Sequence, residues 1–158
     1  MKDTLDPKMI IKHLLKLLCH KWFVFIEACK LGVPWLGFIH DASKFQLCEL
    51  LPYSRYFYGT GSPNDRKHGV DFDVAWNHHQ KCNKHHWQYW VLINDRSDPQ
   101  ISALPMPERY ILEMVADWRG AGRAYGNSDS IGWYEDTKDK QIMHPDTRKR
   151  AEELLKEK

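Results

Sequence analysis

His40 and Asp41 are adjacent in the sequence, and side chains of these two types could bind a metal ion together. The pair supplies an imidazole nitrogen and a carboxylate oxygen, which suit a cation of borderline hardness such as Zn, Fe, Mn or Co. A single His-Asp pair is common by chance. This chain, however, has nine histidines in 158 residues, so the pair belongs to a histidine-rich sequence. The chemistry to expect is metal binding, provided that other ligands fold against the pair.

Four further histidines form a second cluster, His78-His79 and His85-His86. The sequence predicts one helix over residues 72–93. At about 100° per residue, all four imidazoles fall on its buried side, with His79 and His86 at the centre. A buried imidazole without a partner costs ~1–3 kcal/mol. The four therefore either form hydrogen-bonded pairs in a helical core or contribute to a metal or phosphate site.

Two more candidate metal ligands could instead have ordinary roles that involve no metal. His20 shares a stripe of the first predicted helix with His13 and Lys16, and this stripe either lines a cleft or faces water. Asp117 lies at the edge of the apolar face of a later helix. It is either a metal ligand or the salt-bridge partner of a neighbouring arginine such as Arg119. The spacing of the residues leaves both alternatives open.

Helical patterns cover most of the chain, and no run alternates with the period of two that a half-buried strand requires. The sequence therefore predicts an all-α fold with one domain over residues 1–158. Pro7 suits the first turn of a helix with Asp6 as its cap, and Gly32 suits its end. The predicted helices cover residues 7–30, 35–39, about 43–49 with Pro52 near the end, 72–93, 107–119 and 145–158. Polar loops are expected at 59–71 and 94–107, and a turn-rich region around Gly120, Gly122 and Gly126.

Composition narrows the functional classes. A net charge of +2 is too small to imply nucleic-acid binding by electrostatics alone. The apolar run from Met9 to Ile26 is interrupted by lysines and histidines, which argues against a membrane span. No small-residue cleavage site follows the run, so a signal peptide is not expected. The four cysteines lack CxxC spacing, and we expect them to be reduced core residues. A cytoplasmic protein is the prediction.

Three segments resemble a known family. They are His40-Asp41-Ala42-Ser43-Lys44-Phe45, then Ala75-Trp76-Asn77-His78-His79 through Asn83-Lys84-His85-His86-Trp87, and Asp117-Trp118. With His20 upstream, they resemble the HD-domain superfamily of metal-dependent phosphohydrolases. More closely, they are similar to a small, histidine-rich, uncharacterised HD-like family often encoded by phages and bacteria. The resemblance covers residues 13–150 and implies an all-helical fold with a metal site.

The resemblance also implies roles for individual residues. The expected ligands of one divalent metal are His20, His40, Asp41 and Asp117. A second metal is a further option, with His79 and His86 as its ligands. Those two histidines could instead bind the scissile phosphate or act as acid and base.

The remaining implied roles concern the substrate. Lys44 would neutralise phosphate charge, or it is a surface lysine. Glu49 would orient the water or pair with Lys44. Substrate binding would also involve His85, Arg119 and Arg123, with the nearby glycines as a mobile lid. The aromatic residues either stack on a base or pack in the core; they are Trp76, Trp87, Trp118, Trp133 and Tyr134.

Three functions follow as alternatives. The first is hydrolysis of a small phosphorylated metabolite, with a nucleotide as the main candidate. The second is a di-iron oxygenase of the HD-like type. The third is a non-catalytic accessory protein that binds a nucleotide or a protein. The charged C-terminal helix either mediates a homodimer or is a solvated face.

Overall fold

The computed structural model describes residues 6–59, 70–95 and 98–157. These ranges form seven α-helices and one two-stranded antiparallel sheet, which confirms the predicted all-α class. The helices are α1 Pro7–Lys30, α2 Pro34–Ile39, α3 Leu47–Tyr58, α4 Val70–Cys82, α5 Glu108–Tyr125, α6 Ser130–Thr137 and α7 Pro145–Lys156. The strands are β1 Val91–Ile93 and β2 Ile101–Ala103, and 3₁₀ helices span Ala42–Phe45, Trp87–Trp90 and Lys138–Lys140. Most of the predicted loop at 59–71 lies outside the described residues.

The first helix begins and ends where the sequence predicts. The Asp6 carboxylate accepts a hydrogen bond from the Lys8 backbone nitrogen at 2.9 Å, and Pro7 occupies the first turn. Beyond Lys30, Gly32 adopts a φ of 79°, a conformation that glycine reaches without strain. None of the described helices is both long enough and apolar enough to cross a membrane.

Helices α1 and α5 pack closely along each other at Gly120. A Cβ at this position would lie 2.6 Å from the backbone nitrogen of Val24. The predicted end of α5 near residue 119 is wrong. Gly120 and Gly122 lie inside the helix, and Gly126 ends it at a φ of 82°. Because Gly120 and Gly122 are helical, the predicted mobile lid at these two residues is also wrong.

The main hydrophobic core lies where α5, α6 and α7 meet. Its buried residues are Met106, Ile111, Met114, Val115, Tyr134, Ala151, Leu154 and Leu155. The C-terminal helix is confirmed, and its leucines pack inward while its charged residues lie outside. A homodimer through its outer face stays a prediction.

The predicted helix over 72–93 is wrong beyond Cys82. The side-chain amide of Asn83 donates at 2.8 Å to the His79 backbone oxygen, which also accepts from the Asn83 backbone nitrogen, and it reaches the Ser43 hydroxyl of the first 3₁₀ helix at 2.8 Å. The chain then turns, and the indole nitrogen of Trp90 donates to the Lys84 backbone oxygen at 2.8 Å. Strand β1 follows and pairs with β2 in the register Val91↔Ala103, so the expectation of no strand is also wrong.

Two smaller expectations also differ. Helix α3 starts at Leu47 and continues through Pro52 rather than ending near it. The Ser54 hydroxyl donates to the Leu50 backbone oxygen at 2.6 Å and so adds a hydrogen bond beside the proline. The prediction of core cysteines is wrong, because Cys19, Cys29, Cys48 and Cys82 are all exposed on outward faces of their helices.

Candidate metal centre

Five parts of the fold bring histidine and aspartate side chains to one buried place. Helix α1 supplies His20, the end of α2 supplies His40, and Asp41 precedes the first 3₁₀ helix. Helix α4 and the turn after it supply three histidines, and α5 supplies Asp117. The assembled side chains are His20, His40, Asp41, His79, His85, His86 and Asp117.

The first group of ligand atoms comprises the side chains expected around one metal. Nε2 of His20 lies 3.2 Å from Oδ1 of Asp117 and 3.9 Å from Oδ2 of Asp41. Nε2 of His40 lies 3.5 Å from the same Asp41 oxygen and 3.4 Å from Oδ1 of Asp117. His20, His40 and Asp41 lie close enough together to hold one cation, and Asp117 forms a further possible group with His40 and His85.

The second group lies on the other oxygen of Asp41. Nε2 of His79 lies 3.3 Å from Oδ1 of Asp41, and Nε2 of His85 lies 3.4 Å from it. Nε2 of His86 is 2.9 Å from Nε2 of His79. The four side chains could hold a metal ion, and Asp41 belongs to both groups. His85, expected to bind substrate, therefore lies among the candidate ligands.

The backbone of Asp41 adopts the left-handed conformation, with φ 53° and ψ 28°. Few non-glycine residues do so, although aspartate and asparagine tolerate it better than most. This turn between α2 and the 3₁₀ helix leaves the carboxylate buried between the two groups, with one oxygen toward each. Lys21, on α1, donates to the backbone oxygen of His40 and ties the turn to the first helix.

Two buried glutamates hold the outward-facing nitrogens of the histidines. Oε1 of Glu113 lies 3.1 Å from Nδ1 of His40 and 3.1 Å from Nδ1 of His85. Oε2 of Glu49 lies 2.9 Å from Nδ1 of His79. Metal-binding histidines commonly donate their second nitrogen to a carboxylate, which fixes the tautomer and leaves Nε2 free as a ligand. The arrangement around these three histidines has that form.

Several inward-facing atoms have no hydrogen-bond partner. They are Nε2 of His40, Nε2 of His85 and Oδ1 of Asp41, and all three are buried. Leaving such a group unpaired costs ~1–3 kcal/mol, more when it is charged. A cation at these atoms would satisfy them, so the donor set fits a divalent metal.

The electrostatics of the metal-free cluster are strongly perturbed. Burial would lower the pKa of His40, but the carboxylates of Asp41 and Asp117 outweigh burial and raise it to about 10. Burial would raise the pKa of Asp41, but the charges of His40 and Lys44 hold it well below its usual range. Burial, with His85 and His79 beside it, holds the pKa of His86 well below its ordinary value. The cluster therefore keeps its carboxylates ionised as a metal site requires.

Lys44 contacts the metal cluster directly, whereas Glu49 lies behind one of its histidines. The ammonium of Lys44 lies 2.6 Å from Oδ2 of Asp41, so it reaches the cluster and is not a surface lysine. Glu49 is fully buried behind His79 and also accepts from Nδ1 of the half-exposed His78 at 2.7 Å. Its position supports a histidine, whereas we expected it to orient water or pair with Lys44.

The two arginines expected to clamp phosphate point elsewhere. Arg119 donates to the backbone oxygens of Leu154 and Glu157, at 2.6 and 2.8 Å, at the end of α7. Arg123 pairs with Glu27 of α1 at 2.6 Å. The structure thus does not bring either guanidinium to the metal cluster.

Sequence reasoning missed Glu113. The residue lies four positions before Asp117 on α5, so the two carboxylates share a helix face. Its burial among apolar neighbours could have indicated a partner, because a buried carboxylate must be paired. That spacing was the available clue.

A model of one protein family matches residues 9–157, and the family is described as a family of unknown function, DUF5662. The chain belongs to this family. The match to DUF5662 spans both ligand groups. No curated protein and no solved structure matches the chain significantly.

Two cavities of this DUF5662 protein border the cluster. The first cavity, of about 390 Å³, reaches Asp117, His85 and His86. Four tryptophans line it, Trp76, Trp87, Trp118 and Trp133, whereas Tyr134 is buried in the core. The second cavity, of about 460 Å³, reaches His20 and Lys44 and shares Trp76 and Tyr125 with the first. A ligand thus has room beside the candidate centre in two cavities.

Proposed function

We propose that this DUF5662 protein is a metal-dependent phosphohydrolase of the HD type, with two metal ions held side by side. One observation supports the proposal most directly. Two groups of inward-facing ligand atoms share Asp41, and buried glutamates hold the outer nitrogens of three of their histidines. The motif resemblance to the HD-domain superfamily supplies the reaction class.

A purely structural role for the histidines explains this arrangement less well. Hydrogen-bonded imidazole pairs would satisfy their buried nitrogens within the core. Here Nε2 of His40, Nε2 of His85 and one Asp41 oxygen have no hydrogen-bond partner. A cluster built only for stability would carry that cost with no gain. We therefore favour metal binding.

In this proposal, individual residues of the chain have separate roles. When bound, a divalent cation lowers the pKa of water from about 15.7 to about 7 and withdraws charge from a phosphoryl oxygen. Lys44 is placed to neutralise phosphate charge beside Asp41. His86 lies at the wall of the first cavity, where it would be the ligand of the second metal nearest to the substrate. Glu49 and Glu113 keep the ligand rings oriented.

A nucleotide is our candidate substrate because of the first cavity. Its tryptophans offer flat apolar faces on which a base can stack. The side-chain oxygens of Gln88 and Gln141 border the same cavity, and both are buried without a hydrogen-bond partner. They could accept hydrogen bonds from the amino or ring N–H groups of a heterocycle.

The first experiment is elemental analysis of the protein purified without added metal, compared with Asp41→Asn and with Asp146→Asn as a matched control. Asp146 is largely exposed on α7, a helix that contributes none of the candidate ligands. We expect bound transition metal in the wild type and in Asp146→Asn, and its loss in Asp41→Asn. A panel of nucleotides and phosphoesters follows, with hydrolysis abolished by Asp41→Asn. No metal, even after incubation with Mn, Fe, Co or Zn, would refute the proposal and favour a non-catalytic binding protein.

A di-iron oxygenase is the second candidate, and the second histidine group favours it. Three imidazoles beside Asp41 form the kind of nitrogen-rich site that iron accepts. This function predicts bound iron, a Mössbauer spectrum of coupled iron atoms and oxygen uptake with substrate. The hydrolase predicts phosphate release without oxygen uptake.

A further inference from the structure

We infer that the second cavity is an anion-binding subsite, in which Lys16, His13 and Tyr53 hold a phosphate or carboxylate group of the ligand. This group is additional to the one at the metal centre. The inference rests on the proposed function for the placement of the ligand beside the metals, whereas the anion site itself depends only on the cavity.

The lining of the cavity is rich in hydrogen-bond donors. Helix α1 contributes His13, Lys16 and His20, each about one turn from the next, so the stripe seen in the sequence lines a cleft. Lys44 and several tyrosines complete the polar part of the wall. In the part of the chain that the structure describes, no aspartate or glutamate lines this cavity. Its charge therefore favours a negative group.

Two of these donors are buried and have nothing to bond. Nε2 of His13 and the hydroxyl of Tyr53 both lack a hydrogen-bond partner. The two residues are only 7% and 4% exposed, so water reaches them poorly. Burial lowers the pKa of His13 to about 4 and, with Glu49 nearby, raises the pKa of Tyr53. A neutral imidazole with its proton on Nε2 and a phenol hydroxyl each have one hydrogen bond to donate.

The charge comes from the lysines. The ammonium of Lys16 donates to the Ala124 backbone oxygen at 2.6 Å and lies 4.6 Å from the centre of the Tyr125 ring. No carboxylate pairs with Lys16 within the described ranges, so its charge is available to a ligand. Lys44, at the inner end of the cavity, already contacts Asp41. An anion could therefore bind at Lys16 without displacing the metal cluster.

The charged residues that line the first cavity are acidic rather than basic, and this contrast sets the orientation of the ligand. Its lining includes Asp117 and Asp129 and, among the residues described, no lysine or arginine. With Asp117 assigned to the metals, Asp129 is the remaining charged residue described on the tryptophan side, so a second anionic group favours the Lys16 side. The ligand class is a small molecule with two anionic groups, one at the metals and one at Lys16.

The test is calorimetric titration of the metal-loaded protein with inorganic pyrophosphate and, separately, with malonate. We expect Lys16→Met to weaken binding of at least one of these probes about tenfold, because a hydrogen bond to a charged group is lost. Lys16→Arg should retain most of the affinity. The matched control is Lys12→Met, which alters an exposed lysine one turn earlier on α1. Dependence on Lys16 for pyrophosphate identifies phosphate as the group, and dependence for malonate identifies carboxylate.

Tyr53→Phe keeps the test decisive even if Lys16→Met folds poorly. The substitution removes a hydroxyl that bonds nothing in the protein, so stability should not fall. We expect the affinity for the probe to drop about threefold or more. Equal affinities in the wild type, Lys16→Met and Tyr53→Phe, or no binding of either probe, would overturn the inference.

Measuring the bound metal distinguishes failure of the anion subsite from failure of the proposed function. If metal is bound but the variants leave affinity unchanged, the subsite is wrong and the metal centre stands. If no metal binds, the same titrations on the metal-free protein still report whether affinity depends on Lys16.

Discussion

Replacing Glu113 by glutamine separates the charge behind the two histidines from the geometry that orients them. Oε1 of Glu113 lies 3.1 Å from Nδ1 of both His40 and His85. A glutamine oxygen could still accept from both rings, but without a negative charge. Hydrogen bonds to charged groups contribute ~1.5–3 kcal/mol and neutral ones ~0.5–1.5 kcal/mol. The substitution thus removes about 1 kcal/mol per bond, or about 2 kcal/mol in total.

That loss corresponds to about 30-fold in metal affinity, within the 10–100-fold range known for partners of ligand histidines. The assay is competition for Zn or Co against a chromophoric chelator at pH 7. The matched control is Glu108→Gln, because Glu108 lies exposed on the same helix and pairs with Arg150 at the surface. We expect that control to change metal affinity less than twofold.

Two outcomes of this measurement would contradict the expected role of Glu113. A folded Glu113→Gln protein with wild-type metal affinity would refute the reasoning that the glutamate tunes the centre. Loss of affinity in Glu113→Gln and in Glu108→Gln alike would point to a general effect of charge on α5. Circular dichroism of each variant establishes that the helices are retained before affinities are compared.

Three further predictions concern the shared ligand set, the helix contact and a buried carboxylate. His20→Ala should remove one metal per chain and leave the other, because His20 belongs to only one ligand group; elemental analysis showing loss of both would contradict this. Gly120→Ala should destabilise the fold by about 1–3 kcal/mol in urea, since its Cβ would lie 2.6 Å from the Val24 nitrogen; equal stability would show that the helices shift freely. Burial opposes ionisation of Glu27, but hydrogen bonds from Lys30 and Arg123 outweigh it and lower its pKa. Its stabilisation is therefore present above pH ~4.3 and is lost as the pH falls through the folded pKa. Glu27→Gln should therefore cost about 1–2 kcal/mol at pH 7 and progressively less as the pH falls through that folded pKa; a constant difference would argue against the ion pair.

Local patterns predicted much of the fold. The ends of α1 followed from Asp6, Pro7 and Gly32, because capping and left-handed turns depend on a few adjacent residues. The end of α4 could not be predicted in this way, since the Asn83 amide there binds Ser43, which is 40 residues away in the sequence. Helical periodicity carries no information about that choice. The wheel therefore placed His85 at the flank, whereas the turn carries it into the cluster.

The candidate metal ligands were easier to predict than the glutamates that hold their outer nitrogens. His40, Asp41 and His79 could be recognised from adjacency and from the density of histidines. Glu113 and Glu49 act through contacts between helices far apart in the sequence, at separations of 73 and 30 residues from the rings they hold. A charged residue on a helix usually faces water, so nothing local marked Glu49 as buried, and the spacing to Asp117 was the available clue to Glu113.

Position 41 faces two requirements that few amino acids satisfy together. Its backbone has a φ of 53°, which excludes most side chains at a cost of roughly 1–2 kcal/mol. Its carboxylate must also offer one oxygen to each ligand group. Asparagine and glycine tolerate the backbone but lack the charge, and glutamate has the charge but not the backbone tolerance. We therefore expect a DUF5662 protein without aspartate at this position to lack the proposed metal centre while keeping the fold.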